Sequence, residues 1–325
     1  MTREADEAGI ALTVIGGFLG AGKTTSLNHL LRDAGERRLA VLVNDFGEIN
    51  IDAELVRARD GEMVTLTNGC ICCGIGRDYV AALAGLRDRE DPPEHVVVEA
   101  SGVADPGALA VYGDLPGYRQ DAAIVVADAE TVRERCGADL IGHQIVGQLR
   151  SADLIVLNKT DLVDAEALAL TRTWLRDLAG PSTAIVETSF GEVPVDVLLG
   201  ARPQRAEGDG AAHSHDHGRG HGAFESWSWT GEAPISGTAL VEELKGLADG
   251  VLRGKGLLHL QEDASSRYVL QLVGRRWSIK ADRPWRDGET PGTRLVAIGL
   301  PGSVRGPELE AMIDRLTRAA HSQTK

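Results

Sequence analysis

The 325-residue sequence predicts an α/β fold with a mostly parallel sheet, followed by a smaller α+β domain. Up to about residue 200, short apolar runs rich in β-branched residues alternate with longer helical stretches, which is the pattern of βα units. After residue 223, several strand candidates follow one another, with helices near the beginning and the end. This second pattern is typical of a small α+β domain.

Most predicted strands of the first part are continuous apolar runs, as expected when helices cover both faces of a sheet. They are Leu12–Ile15, Leu39–Val43, Met63–Leu66, His95–Val98, Ala122–Val126, Asp153–Leu157 and Thr183–Glu187. Helices are predicted to start at Thr24, Arg77, Pro106, Gln144 and Ala165.

Residues 201–223 contain Pro, Gly, Arg, acids and the string HSHDHGRGHG, with no apolar periodicity. This composition predicts a flexible, His-rich linker between a domain over residues 1–200 and a domain over residues 224–325. The elements predicted after the linker are a strand at Phe224–Trp229, a helix at Ser236–Leu252, strands at Leu257–Gln261, Tyr268–Val273 and Thr293–Ile298, a further strand candidate at Arg276–Lys280, and a helix at Pro307–Ala320.

The charge balance excludes some partners. Lys and Arg number 34 against 48 Asp and Glu, and the net charge of -14 would repel a nucleic-acid backbone. No segment approaches the ~20 consecutive apolar residues of a membrane helix, and the start MTREADEAGI lacks an apolar export signal. We therefore expect a cytoplasmic protein that binds neither nucleic acid nor membranes.

A glycine-rich segment follows the first predicted strand and opens the first predicted helix. The run GFLGAGKT, Gly17 to Thr24, fits the pattern G-x-x-x-x-G-K-[ST] of a phosphate-binding P-loop. Lys23 is predicted to reach the β and γ phosphates as a catalytic residue, and Thr24 to ligate magnesium. The predicted nucleotide contacts are Gly17, Gly20, Ala21, Gly22, Lys23, Thr24 and Thr25. The alternative, a glycine-rich turn with a chance lysine, does not explain why strand, loop and helix occur together.

The tetrapeptide Asn158-Lys159-Thr160-Asp161 follows the apolar run DLIVL, at the carboxyl end of a strand where open α/β sheets bind ligands. A carboxylate there can accept two N–H donors from guanine, whereas adenine would leave it unpaired. A short N-K-x-D also occurs in ordinary loops. Downstream of a P-loop, it predicts that Asn158, Lys159 and Asp161 select GTP over ATP.

Acidic residues follow two other predicted strands. Glu99 ends the run HVVVE, with Gly102 three residues on, where a nucleotide enzyme can hold the magnesium water shell and sense the γ-phosphate. A solvated glutamate is the alternative for Glu99. The segment VNDFGEINID is a candidate switch in which Asp45 or Glu48 orients the attacking water or adds a carboxylate to the metal. Surface charges would explain both residues equally well.

Cys70, Cys72 and Cys73 lie within four positions. Thiolates are soft donors that select zinc, copper(I), cobalt or iron over magnesium. The spacing is too tight for paired C-x-x-C knuckles, so a fourth ligand is a distant residue, solvent or a client protein. An open thiolate site of this kind suits metal transfer; a redox pair or three buried small residues are the alternatives.

The remaining metal-binding residue types are weaker candidates. Cys136 stands alone after Arg-Glu-Arg and is predicted to be inert. The linker histidines offer neutral imidazoles to zinc, cobalt or nickel, as a low-affinity loading arm, unless the linker merely tolerates histidine. They are His213, His215, His217 and His221.

Taken together, the motifs resemble those of the CobW-like P-loop GTPases, the cobalamin-synthesis W family, whose relatives include nitrile hydratase activators and zinc-regulated metalloprotein activators. The resemblance rests on GGFLGAGKTT, VNDFGEINID, NGCICCGI, VVEASGVADP, DLIVLNKTDLV, LRGKGLL and TRLVAIG, in that order. It implies that Glu99 and Gly102 form the family's E-x-x-G, and that the three clustered cysteines form its metal-binding C-x-C-C. Asp45 departs from the family pattern, since many members carry Glu there.

The resemblance also implies metal insertion or trafficking, with a C-terminal domain that helps to engage clients. We therefore predict a magnesium-dependent GTPase, monomer or homodimer, that delivers zinc, or else cobalt or iron, to a client metalloprotein. A metal buffer with a slow nucleotide site and a regulatory GTPase with a structural metal are the alternatives. The complete nucleotide motifs count against the buffer, and the open ligand set counts against the structural metal.

Overall fold

The computed structural model describes residues 9–43, 62–65, 75–201, 224–247 and 250–322. The chain divides into two compact units, Met1–Leu199 and Gly200–Lys325. Within the described ranges, none of the helices combines the length and the apolarity that crossing a membrane requires.

The N-terminal unit is built on a parallel sheet, which confirms the predicted fold class. Its described strands are β1 (Ile10–Gly16), β2 (Leu39–Val43), β3 (Glu62–Thr65), β4 (His95–Glu99), β5 (Tyr118–Asp128), β6 (Leu154–Asn158) and β7 (Ala184–Glu187). They lie in the order β3-β2-β4-β1-β5-β6-β7, and every pairing is parallel. Because parallel strands end at one edge, the loops after β1, β4, β5 and β6 meet at the carboxyl edge of the sheet.

The described helices of this unit are α1 (Lys23–Asp33), α2 (Ile75–Arg87), α3 (Pro106–Ala110), α4 (Val132–Cys136), α5 (Gly142–Ser151), α6 (Ala165–Ala179) and α7 (Val195–Leu199). The predicted starts of α3 and α6 are confirmed, because Asp105 and Asp164 cap them by accepting backbone N–H groups of Gly107 and Ala167. Helices α4 and α7 were not predicted. Each spans five residues, too few to show a 3.6-residue period.

Two apolar cores pack against the sheet. In the first, side chains of β1, β2 and β4 pack with Tyr79, Leu83 and Leu86 of α2 and with α3. In the second, side chains of β5 and β6 pack with α4, α5 and α6, including the fully buried Leu149 and Leu175. Both cores exclude water from the strands that carry the loops of the carboxyl edge.

The C-terminal unit has an antiparallel sheet of five strands in its described part, in the order β11-β10-β9-β12-β8. The strands are β8 (Glu225–Gly231), β9 (Val251–His259), β10 (Ser266–Val273), β11 (Arg276–Pro284) and β12 (Thr293–Gly299). Helices α8 (Gly237–Lys245) and α9 (Gly306–Ser322) share one apolar core with the strands, in which Leu240, Leu316 and Trp227 are buried. The predicted α+β character is confirmed.

One predicted helix of this unit is wrong in its extent. The sequence predicts Ser236–Leu252, whereas α8 ends at Lys245 and the chain enters β9 at Val251, not at Leu257. Gly246 caps the helix end, and Gly250 has the left-handed φ of 102° that favours glycine. The apolar residues after Gly250 therefore pair with β12 instead of continuing the helix.

A polar network is buried between β1, β4 and β5. The hydroxyl of Thr13 donates to a carboxylate oxygen of Asp121 at 2.8 Å, and Nε2 of His95 lies 2.7 Å from the same hydroxyl. Since the hydroxyl has only one hydrogen, Nε2 of His95 is the donor in the second bond. All three residues are buried, so each bond replaces hydration that folding removes.

We expect Thr13→Val to lower the free energy of unfolding of the N-terminal unit by about 1–3 kcal/mol, because the buried His95 and Asp121 each lose one partner. Urea unfolding followed by circular dichroism measures the change. Thr173→Val, at an exposed threonine that bonds only within its own helix, is the control. Equal effects of the two substitutions would contradict a stabilising role for the network.

Candidate functional site

The loop between β1 and α1 lies at the carboxyl edge and depends on glycines at two close approaches. A Cβ on Gly17 would lie 2.2 Å from the carbonyl oxygen of Val126, and Gly17 has a φ of 131°. A Cβ on Gly22 would lie 2.4 Å from Nδ2 of Asn158, and Gly22, the N-cap residue before α1, has a left-handed conformation. Larger residues would therefore push this loop off β5 and β6.

Two predicted site residues of α1 meet the end of β4. The hydroxyl of Thr24 donates to Oε1 of Glu99 at 3.1 Å, and the Glu99 side chain is only 2% exposed. Glu99 is therefore not a solvated strand-end residue, and that alternative is wrong. Lys23, the first residue of α1, is also buried, whereas Thr25 is exposed.

The N-K-x-D segment is tied to the P-loop by its asparagine. Asn158 is buried at the end of β6, where its Nδ2 donates to the carbonyl of Ala21 at 2.9 Å. Its Oδ1 accepts the backbone N–H of Gly191 at 2.8 Å, in the loop after β7. One amide thus joins the two ends of the candidate nucleotide site.

The other two residues of the motif lie toward solvent. Lys159 has a left-handed backbone with a φ of 63°, and its ammonium lies 2.6 Å from Oδ2 of Asp128. Asp161 is exposed, and its backbone N–H donates to Oγ of Ser189 at 3.2 Å. An exposed carboxylate at this edge is free to meet a base from solvent.

Sequence reasoning missed Asp128, which is buried at the end of β5 and aligned with Asn158 in the sheet. Burial by itself raises the pKa of the Asp128 carboxyl, but the Lys159 ammonium and the backbone N–H groups of Glu130 and Thr131 outweigh burial and hold that pKa below its ordinary value. The carboxylate is therefore charged at neutral pH. The available signal was an acid that ends an apolar run next to the strand of the N-K-x-D motif.

Gly102, the second predicted residue of E-x-x-G, lies against the P-loop. A Cβ at this position would lie 2.8 Å from the side chain of Leu19 and 3.0 Å from its backbone nitrogen. The carbonyl of Gly102 accepts a hydrogen bond from the Gln148 side chain of α5. The loop after β4 therefore packs between the P-loop and α5.

Several predicted residues lie outside the described ranges, namely Asp45, Glu48, Cys70, Cys72, Cys73 and the linker histidines. Among the residues that the structure does describe, no group of three or more His, Cys, Asp or Glu could hold a metal ion. Cys136 ends α4, and burial raises the pKa of its thiol to about 11. A thiol with that pKa is protonated at neutral pH, which fits the predicted inertness of Cys136.

Comparison with known families matches both units. Residues 11–196 match the model of the CobW/HypB/UreG nucleotide-binding domain. Residues 224–317 match the model of the cobalamin synthesis protein cobW C-terminal domain.

Curated relatives align over nearly the full chain. A protein of Sinorhizobium sp named zinc chaperone CobW is 33% identical, covering 92% of this chain and 95% of its own length. A zinc chaperone CobW of Pseudomonas aeruginosa is 34% identical, covering 90% and 88%. The zinc chaperone YjiA of Escherichia coli is 32% identical, covering 90% and 94%. The chain belongs to the CobW/HypB/UreG family of nucleotide-binding proteins and carries the cobW C-terminal domain.

Proposed function

We propose that this protein hydrolyses GTP and uses the nucleotide cycle to bind a transition metal, most simply zinc, and hand it to a client metalloprotein. The observation that carries the proposal is the partly buried hydrogen bond between Thr24 and Glu99, together with the bond by which Asn158 of the N-K-x-D segment holds the P-loop. This arrangement supports assigning the triphosphate, a magnesium ion and the base to one edge of the sheet.

Magnesium fits the residues present. It is a hard cation that prefers oxygen ligands, and Thr24 and Glu99 bring a hydroxyl and a carboxylate together beside the P-loop. The Thr24 hydroxyl donates its hydrogen to Glu99, and a hydroxyl oxygen that donates its hydrogen can still be a ligand of a cation. When bound, the ion supplies positive charge to the phosphate oxygens.

Hydrolysis would proceed at the γ-phosphate. The oxygen of a water molecule bonds to the γ-phosphorus, the bond from that phosphorus to the β–γ bridging oxygen breaks, and a proton is released with GDP and inorganic phosphate. Lys23 is proposed to stabilise the phosphate charge, and Gly102 to present the loop after β4 to the γ-phosphate. Asp45 and Glu48 remain the candidates for orienting the water.

Guanine selection is assigned to Asp161. Its carboxylate is exposed at the sheet edge, and the adjoining backbone is fixed by bonds of Thr160 and Asp161 to Thr188 and Ser189. Such fixing lowers the ordering cost when a base binds.

The metal part of the proposal is supported by the names of the relatives, three of which are called zinc chaperones, and by the C-x-C-C run in this chain. We assign the cargo metal to Cys70, Cys72 and Cys73, because soft thiolates retain zinc, cobalt or iron in preference to magnesium. The cysteine run and the candidate switch Asp45–Asp52 are adjacent in sequence to β2 and β3, so the γ-phosphate is proposed to order both.

Lys23→Ala is expected to reduce GTP turnover at least about a hundredfold, since one buried charge on the phosphates is lost. Phosphate release under saturating magnesium-GTP measures the effect. Lys245→Ala, at an exposed lysine paired with Glu242 in the C-terminal unit, is the matched control and should leave turnover unchanged. Wild-type turnover in the Lys23→Ala variant would move catalysis away from the P-loop.

Cys72→Ala is expected to abolish the thiolate-to-cobalt charge-transfer absorption of the cobalt-loaded protein, while nucleotide binding stays intact. Optical titration with cobalt measures the first property, and a fluorescent GTP analogue measures the second. Cys136→Ala, which removes the fourth cysteine, should keep the absorption band. If the Cys72→Ala protein keeps the band, the assigned ligand set is wrong.

Metal delivery is tested by loading the protein with one zinc ion and offering it to an apo-metalloenzyme. Zinc should be held more tightly with magnesium-GTP than with magnesium-GDP, by about 5- to 150-fold, and GTP should be held more tightly with zinc by the same factor. Transfer should follow hydrolysis and be lost in Lys23→Ala.

Two results would contradict the proposed metal delivery. Stoichiometric zinc without turnover would identify a metal buffer. Unfolding by chelators without transfer to an acceptor would identify a regulatory GTPase with a structural metal.

A further inference from the structure

Two helices hold the contact between the P-loop and the loop after β4. Leu19, the third residue of the P-loop, is 61% exposed, yet its side chain and backbone lie against Gly102. Because Gly102 has no side chain, the two loops approach as closely as a backbone allows. The spacing between Leu19 and Gly102 is therefore a sensitive quantity at the phosphate end of the site.

Arg135 of α4 fixes the Leu19 side of this contact. Its Nη1 donates to the carbonyl oxygen of Leu19 at 2.8 Å, and its guanidinium lies 5.4 Å from the ring centroid of Phe18. A hydrogen bond from a charged donor and a cation–π contact together restrain two successive P-loop residues. Asp128 holds the turn before α4 by accepting the backbone N–H groups of Glu130 and Thr131, and its carboxylate pairs with Lys159.

Gln148 of α5 fixes the Gly102 side. Its Nε2 donates to the carbonyls of Gly102 at 3.1 Å and Ala104 at 2.7 Å. The side chain is 2% exposed, and its Oε1 is buried with no hydrogen-bond partner within the described part of the chain. An unsatisfied buried oxygen is unfavourable, so packing alone would favour leucine at this position. The two bonds to the loop after β4 are what the glutamine provides.

Arg135 and Gln148 also line one small pocket next to the P-loop. Phe18 and Ala21 of the P-loop form part of its wall, together with Asp128. From this pocket, Arg135 therefore bonds the P-loop and Gln148 bonds the loop after β4.

We propose that Arg135 and Gln148 are positioning residues that set the spacing between the P-loop and the E-x-x-G loop. This inference rests on the proposed GTPase function. The E-x-x-G loop is assigned to the γ-phosphate, which GTP has and GDP lacks. Correct spacing is therefore required for GTP binding and turnover, and matters little for GDP.

Arg135→Ala and Gln148→Leu test the proposal. Each substitution should weaken the affinity for a non-hydrolysable GTP analogue by about tenfold, because a restraining hydrogen bond is lost. The affinity for GDP should change by less than about threefold. The kcat for GTP should fall as well. Titration with fluorescent nucleotides and steady-state phosphate release give these values.

Matched controls come from the same helices. Arg133→Ala removes an exposed arginine of α4, and Gln144→Ala removes an exposed glutamine one turn before Gln148; both should behave as wild type. Melting temperatures check folding. If Gln148→Leu does not fold, Arg135→Ala, at a half-buried side chain, decides the outcome.

Two outcomes would overturn the proposal: equal losses of GTP and GDP affinity, which indicate a merely structural role, or wild-type values for both nucleotides. Neither outcome contradicts the proposed GTPase function. That function is contradicted by a different result, namely that the wild-type protein binds no guanine nucleotide.

Discussion

The buried amide of Asn158 is the interaction on which the candidate site depends. A primary amide offers both a donor and an acceptor, so one side chain satisfies the carbonyl of Ala21 and the backbone N–H of Gly191. An aspartate or leucine there would leave at least one of these buried backbone groups without its partner, at a cost of about 1–3 kcal/mol. The P-loop, the end of β6 and the loop after β7 are thus held together by one side chain.

Charge is distributed unevenly around this site. The whole chain carries a net charge of -14, which by itself would disfavour binding of a nucleotide triphosphate. At the carboxyl edge, however, Lys23 is buried in the first turn of α1, and Arg135 donates to the carbonyl of Leu19 in the glycine loop. Local potential, not net charge, decides whether an anion binds there. The acids of the edge are compensated, Asp128 by Lys159 and backbone amides, and Glu99 in part by Thr24.

The sequence predicted those features that are encoded locally. The bounds of β2 are as predicted, because a short uninterrupted apolar run between two helical stretches indicates a buried strand. The starts of α3 and α6 are as predicted because an aspartate caps each helix. The extent of α8 was wrong because Val251 and Leu252 suit either a helix or a strand, and only pairing with β12 decides. Arg135 and Gln148 could not be predicted, since their partners lie 116 and 46 residues away and belong to no motif.

The half-buried thiol of Cys136 has a practical consequence for chemistry on this protein. With a pKa of about 11, only about one molecule in ten thousand carries the thiolate at pH 7, and alkylating reagents attack the thiolate. A cysteine with the ordinary pKa of about 8.5 would react far sooner. Brief alkylation at neutral pH is therefore expected to leave the Cys136 thiol at the end of α4 unmodified.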